Sequence, residues 1–201
     1  TQIYKTSFMN TLKVGDKVPS FSAKDQDGNT IKLEDYSGKK LIVFFYPKAS
    51  TPGCTAEACN LRDNYKELQS EGYELLGVSA DSEKRQAKFK EKYEFPFPLL
   101  ADEDHTVINA FGVWGLKKFM GREYDGIHRK TFVVDGEGIV TKVIDKVKTK
   151  DHAAQLLDWY LVGYIKKRPF QMGVFFVLYY SGQQFIQSRA LRFFLWTIAF
   201  V

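Results

Sequence analysis

Residues 41–46 read Leu-Ile-Val-Phe-Phe-Tyr and lie between the pair Lys39-Lys40 and Pro47. A strand with one wet face alternates apolar and polar side chains, whereas a run that is apolar at every position has to be covered on both faces. Such a strand belongs in the middle of a layered sheet. The rest of the pattern supplies the layers. Phe21 to Leu33, turning at Asp27-Gly28-Asn29, reads as a small hairpin. Thr51 to Gly72 carries Ala58, Leu61, Tyr65 and Leu68 at helical spacing and stops at a glycine. Tyr73 to Val78 reads as a second strand, and a charged helix capped by Asp81 or Ser82 reaches Glu94. Phe97 to Leu100 is a short strand, Asp104 to Phe111 a short helix, and Thr131 to Ile144 two strands around Gly136-Glu137-Gly138. A last helix starts at Asp151. Strands alternating with helices predict an α/β layered fold around a central sheet, and no fixed-period repeat interrupts it.

The chain has 201 residues, 44% of them apolar and 26% charged, with two cysteines and a formal charge of +5. A core of ordinary size is expected, and disordered, collagen-like and disulfide-built classes are excluded. The charge is unevenly placed. Lys166, Lys167, Arg168, Arg189 and Arg192 have no acid beside them from residue 159 onward, and thirteen of the last 43 residues are aromatic. Residues 1–158 are neutral. The chain therefore reads as a leader over 1–8, a balanced domain over 9–158, and a basic, aromatic C-terminal extension over 159–201. No nucleic-acid partner is expected, because a steering field needs its charge on the folded body. The leader lacks a charged segment followed by an apolar one, so a cytoplasmic location is expected.

The chemistry concentrates between Pro47 and Cys59, PKASTPGCTAEAC. A buried strand ends at Pro47, and a helix begins near Thr51, a natural cap, with Pro52 suited to the first helical position. Cys54 then falls in the first turn, where unpaired amides and the positive end of the helix dipole favour thiolate over thiol. A reactive cysteine follows. Cys59 is five residues on, and an ideal helix separates such Cα atoms by roughly 8.7 Å, whereas a disulfide spans at most about 6.8 Å. If the two pair, at least a turn of the helix has to unwind.

Residues 9–158 resemble a peroxiredoxin of the bacterioferritin-comigratory-protein, or Q, type. The motif Pro-x-x-x-Thr-x-x-Cys is present as Pro47, Thr51 and Cys54, with Cys59 at that family's intrahelical spacing. Phe111-Gly112-Val113-Trp114 and the stretch from Tyr124 through Arg129 to Asp135 also match. The resemblance implies a thioredoxin-like fold with a central mixed sheet and a cofactor-free thiol peroxidase. It implies that Cys54 attacks the peroxide, Cys59 resolves the product as a disulfide, Thr51 and Arg129 line the pocket, and Pro47 shields the sulfur. It further implies thioredoxin or a similar dithiol as reductant, with the enzyme a monomer or weak dimer.

Other chemistry is weaker. His105, His128 and His152 are scattered, so no metal site is expected, and His128 reads as a loop residue. No glycine-rich phosphate loop occurs. Lys39-Lys40 and Lys117-Lys118 read as solvated charges, and Phe111, Trp114 and Phe119 as core or pocket wall. A thiol–disulfide oxidoreductase on the same fold normally carries Cys-x-x-Cys, so it is the lesser reading. A membrane-tethered redox protein is a further alternative. The twenty uncharged residues 169–188 are long enough to span a bilayer, but four glutamines make membrane contact through the tail the less favoured expectation. An extension without evolved function is preferred.

Overall fold

The computed structural model describes residues 10–119 and 121–157. The leader, the extension and the boundary drawn between residues 158 and 159 lie outside the described residues, as does the side chain of Phe119.

A five-stranded mixed sheet organises the chain. Its centre is β3 (Lys40–Phe45), the apolar run. Leu41, Ile42, Val43, Phe44 and Phe45 are all buried, and side chains of this kind contribute roughly 1.5–3 kcal/mol each on burial. On one side β3 pairs in parallel with β4 (Tyr73–Ser79), which pairs in parallel with β5 (Leu99–Ala101). On the other it pairs antiparallel with β8 (Lys130–Val134), and β8 with β9 (Val140–Ile144). The predicted strands and hairpin are present. β1 (Ser22–Lys24) and β2 (Thr30–Lys32) form the small antiparallel pair expected around Gly28.

Packing at the centre is close. A Cβ on Gly77 of β4 would lie 2.6 Å from the Leu99 side chain and 2.7 Å from that of Phe44, so only glycine fits between these neighbours. On one face of the sheet, Phe45, Phe111 and Phe132 form an aromatic triangle with centroids 5.0, 5.8 and 5.0 Å apart. On the other, Phe44 meets Phe97 edge-on at 5.7 Å.

Three expectations change in detail. The single helix from Thr51 to Gly72 is two, α1 (Pro52–Asp63) and α2 (Tyr65–Ser70). Asn64 interrupts it with φ −107° and ψ 13°, and its side-chain amide donates to the Asn60 carbonyl at 2.8 Å. A side chain that competes for the helical carbonyls in this way loosens the ladder. Further on, α3 (Glu83–Tyr93) and α4 (Thr106–Ala110) lie where helices were expected. A second hairpin was not expected: β6 (Trp114–Phe119) pairs antiparallel with β7 (Arg122–Ile127) as a separate two-stranded sheet. Lys117, read as a solvated charge, is half-buried in that hairpin and donates to the Ile127 carbonyl at 2.9 Å. The last helix is present over 152–157 as far as the described residues extend.

Candidate active site

Parallel pairing of β3 and β4 aims the C-terminal end of β3 at the loop that feeds α1, the usual position for a site in such sheets. The loop is fixed from below. Tyr46 donates from its hydroxyl to Gln86 Oε1 at 2.6 Å, and Gln86 donates in turn to Ser79 Oγ at 2.9 Å. Ser79 Oγ donates to Asp81 Oδ2 at 2.8 Å, and that carboxylate accepts the Ala49 amide at 2.6 Å. Of the two residues expected to cap α3, Ser82 takes the cap position and Asp81 anchors the loop. Beside Ala49, Ser50 is held at φ +63°, a conformation that costs a non-glycine residue energy and persists only when its surroundings impose it.

Thr51 occupies the N-cap position of α1 and Pro52 the first turn, as expected, but the Thr51 hydroxyl makes no capping bond. It donates backwards, to the Lys48 carbonyl at 2.9 Å. The first helical bond runs from the Thr55 amide to the Thr51 carbonyl at 2.8 Å, which leaves the amides of Gly53 and Cys54 without carbonyls inside the helix. Cys54 is buried and Cys59 half-buried, both as free thiols on one continuous helix. Burial raises the Cys59 thiol above its ordinary value. Pro47 is exposed in the loop.

Antiparallel pairing of β3 with β8 sets Lys130 opposite Phe45 and Thr131 opposite Phe44. Arg129, one residue before β8, therefore enters at the end of β3 from which the loop departs. Its Nη2 donates to Cys54 Sγ at 3.1 Å. Its Nη1 donates to Glu57 Oε2 in a short, charge-assisted contact. One guanidinium therefore holds the sulfur and the carboxylate together. The structure brings Arg129 to Cys54, and leaves Cys59 on the following turns of α1.

Glu57 was not singled out from the sequence, although a signal was there. Cys54, Glu57, Ala58 and Leu61 are the buried residues of α1, at spacings of three, four and seven, so the acid sits on the apolar stripe. A carboxylate in that position calls for a buried cation. Burial pushes the Glu57 carboxyl up to about 7 despite the opposing pull of Arg129. Behind it, His152 is fully buried, with Nε2 2.8 Å from Thr131 Oγ1 and Nδ1 3.2 Å from Gln155 Oε1. Desolvation lowers His152 to about 4, so at neutral pH its 3.9 Å approach to Glu57 Oε1 is not an ion pair. His128 lies in the β7–β8 loop, half-buried. Among the described residues no three His, Cys, Asp or Glu side chains converge as a metal site, and no helix is long and apolar enough to cross a membrane.

A free sulfur at the first turn of a helix, bonded to a guanidinium at the end of a mixed sheet, defines a cysteine-based redox enzyme on a thioredoxin-like frame. The chain matches the AhpC/TSA family over residues 14–143 and belongs to it, as a thiol-dependent peroxidase of the bacterioferritin-comigratory-protein, or Q, type of peroxiredoxin. It is 50% identical to Peroxiredoxin Bcp of Escherichia coli (strain K12) over 151 residues, 75% of this chain and 97% of that protein. It is 48% identical to Peroxiredoxin Bcp of Bacillus subtilis (strain 168) over 148 residues, 74% and 94% of the two lengths. A solved structure of the bacterioferritin comigratory protein of Xanthomonas campestris, described for its alkyl peroxide reduction activity, superposes with a TM-score of 0.66 at 35% identity. It covers 71% of this chain and 91% of that one.

Proposed function

We propose that the chain reduces hydrogen peroxide and organic hydroperoxides with Cys54 as the attacking sulfur, Cys59 as the resolving one, and Thr51, Arg129 and Pro47 around the pocket. The observation that carries this is the 3.1 Å bond from Arg129 Nη2 to Cys54 Sγ at the start of α1. A guanidinium stays charged and keeps its donors in one plane, so it stabilises negative charge on sulfur and, in the transition state, on the departing oxygen. Organic hydroperoxides are included because of the alkyl peroxide activity of the Xanthomonas campestris relative.

The Cys54 thiolate attacks the terminal oxygen of the hydroperoxide. The S–O bond forms as O–O breaks, leaving Cys54 sulfenic acid, while the departing alkoxide or hydroxide takes up a proton as alcohol or water. With its proton given to the Lys48 carbonyl, Thr51 Oγ1 offers lone pairs to the hydroperoxide O–H. Pro47, exposed in the loop before Thr51, is assigned to shielding the sulfur from water. The Cys59 sulfur then displaces hydroxide from the sulfenic sulfur, water leaves, and a Cys54–Cys59 disulfide remains. An external dithiol, thioredoxin or similar, reduces it by exchange and is itself oxidised. Because α1 runs unbroken through both cysteines, that disulfide requires the helix to open. Turnover by a dithiol reductant suits a reducing compartment such as the cytoplasm, and a monomer or weak dimer suffices for a cycle completed within one chain.

Mass spectrometry after one equivalent of hydrogen peroxide tests the assignment. The expected product is a peptide pair joined through Cys54 and Cys59, and in Cys59→Ser a sulfenic acid confined to Cys54. An unreacted Cys54 overturns it.

A further inference from the structure

Three polar groups behind Arg129 have no part in the cycle above: Glu57 Oε1, His152 and Thr131. Glu57 Oε1 is buried without a hydrogen-bond partner, while the other oxygen of the same carboxylate holds Arg129. The orphan faces His152 Nε2 at 3.9 Å. Whether that nitrogen carries a hydrogen can be read from the rest of the ring. Gln155 accepts the Lys148 amide on Oε1 at 2.7 Å and donates from Nε2 to the Lys146 carbonyl at 3.1 Å, so the orientation of its amide is fixed by two backbone groups. His152 Nδ1 faces that Oε1, which can only accept. Nδ1 therefore bears the hydrogen, Nε2 of the neutral ring is the acceptor, and the 2.8 Å contact with Thr131 is donated by the Thr131 hydroxyl.

A proton arriving on the buried carboxylate would settle on Oε1, since Oε2 is engaged by Arg129. There it would need an acceptor, and the lone pair that faces it is already taken by Thr131. We propose that His152 and Thr131 are positioning residues for the peroxidase reaction: by occupying the imidazole Nε2, Thr131 denies Glu57 Oε1 a proton partner and so favours the Glu57 carboxylate clamped on Arg129, which is thereby held against Cys54. This rests on the assignment of Arg129 and Cys54 made above. The arrangement joins three elements, with Glu57 on α1, Thr131 two residues after Arg129 on β8, and His152 in the final helix. The other charged or titratable groups around it are Arg129, Cys54 one turn earlier on α1, and Lys142 of β9, whose ammonium opposes a positive imidazole. Desolvation acts in the same direction, keeping His152 neutral.

Two readouts test it on the full chain. Nitrogen-15 NMR of the resting enzyme should show His152 with hydrogen on Nδ1 and bare Nε2 across pH 5.5–8; hydrogen on Nε2 overturns the proposal. Because no turnover is involved, this result is separate from the fate of the Cys54 assignment. The second is the pH profile of kcat/KM for hydrogen peroxide. Thr131→Val frees Nε2 to share a proton with Glu57, so the acid limb should move up by about one pH unit, the size of the one hydrogen bond that the protonated carboxyl gains, and Thr131→Ser should restore it. A Thr131→Val enzyme slowed equally at every pH would show a structural role alone and overturn the proposal.

Discussion

Asn60 ties the middle of α1 to a segment ninety residues further along the chain: its Oδ1 accepts the Ala153 amide at 2.8 Å. Its Nδ2 donates to the Lys150 carbonyl at 3.2 Å, and the residue before it is Cys59. If the proposed Cys54–Cys59 pairing opens α1 as far as Asn60, these bonds break with it. Asn60→Ala should therefore speed disulfide formation after peroxide is added and lower stability by about 1–2 kcal/mol. Stopped-flow fluorescence and a urea melt read the two effects. Unchanged disulfide formation would mean that the part of α1 around Asn60 stays in place during resolution.

Arg129 touches two groups at once, which a lysine cannot reproduce. Arg129→Lys keeps the charge but loses the planar pair of donors that spans Cys54 Sγ and Glu57 Oε2. The expected loss in kcat/KM for hydrogen peroxide is roughly 10²–10³-fold, the range found when one preorganised donor is removed from an anionic transition state. Competition against a reference peroxidase measures it, and a loss under threefold would remove Arg129 from the reaction.

Asp81 anchors the loop before α1 through Ala49. In Asp81→Ala the Ala49 amide is left without its acceptor, at a cost of about 1–3 kcal/mol. Ser50 is then free to leave its left-handed conformation. Since a displacement of about 1 Å at a reacting group costs up to 10²-fold, the peroxidatic rate should fall while the circular dichroism spectrum stays native. A full rate in that variant would show that the loop holds its shape without Asp81.

Stability should respond to pH through the buried pair. Glu57, raised to about 7, contributes fully below its unfolded value of 4.5, and that contribution is lost as pH rises through 7. His152, lowered to about 4, contributes fully above its unfolded value of 6.5, and that contribution is lost as pH falls through 4. Between pH 4.5 and 6.5 the two slopes oppose each other, each at most about 1.4 kcal/mol per pH unit. Glu57→Gln should unmask the histidine, so that its urea midpoint climbs from pH 4.5 to 6.5 more steeply than that of the wild type. Parallel profiles would be inconsistent with these ionisation states.

Much of this site is legible in one dimension. Cys54 can be placed because strand, turn and helix start follow one another within fifteen residues, and each is marked by local chemistry: an apolar run, a proline, a threonine at the cap position. The approach of Arg129 is legible only as a condition, that its strand neighbours β3, because pairing between residues so far apart leaves no local trace. Glu57 lies in plain view on the buried stripe of α1, and a count of helical spacing finds it. His152 is different. Its partners come from α1, β8 and its own helix, so its setting exists only once the chain has folded. The β6–β7 hairpin escapes for another reason: Lys117, Lys118, Arg122 and Glu123 give it no apolar alternation, and cross-strand pairing defines it instead.

The antiparallel register of β3 and β8 carries a consequence for how this chain tolerates change. Arg129 reaches Cys54 because Lys130 and Thr131 are hydrogen-bonded opposite Phe45 and Phe44. With that register held, deleting Arg129 would bring His128 to the position beside Lys130, and inserting a residue between Arg129 and Lys130 would set Arg129 one step back, on the other face of the pleat. Ladder spacing in the sheet thus acts as the measuring rule of the pocket, read off in the single peptide step between Arg129 and Lys130.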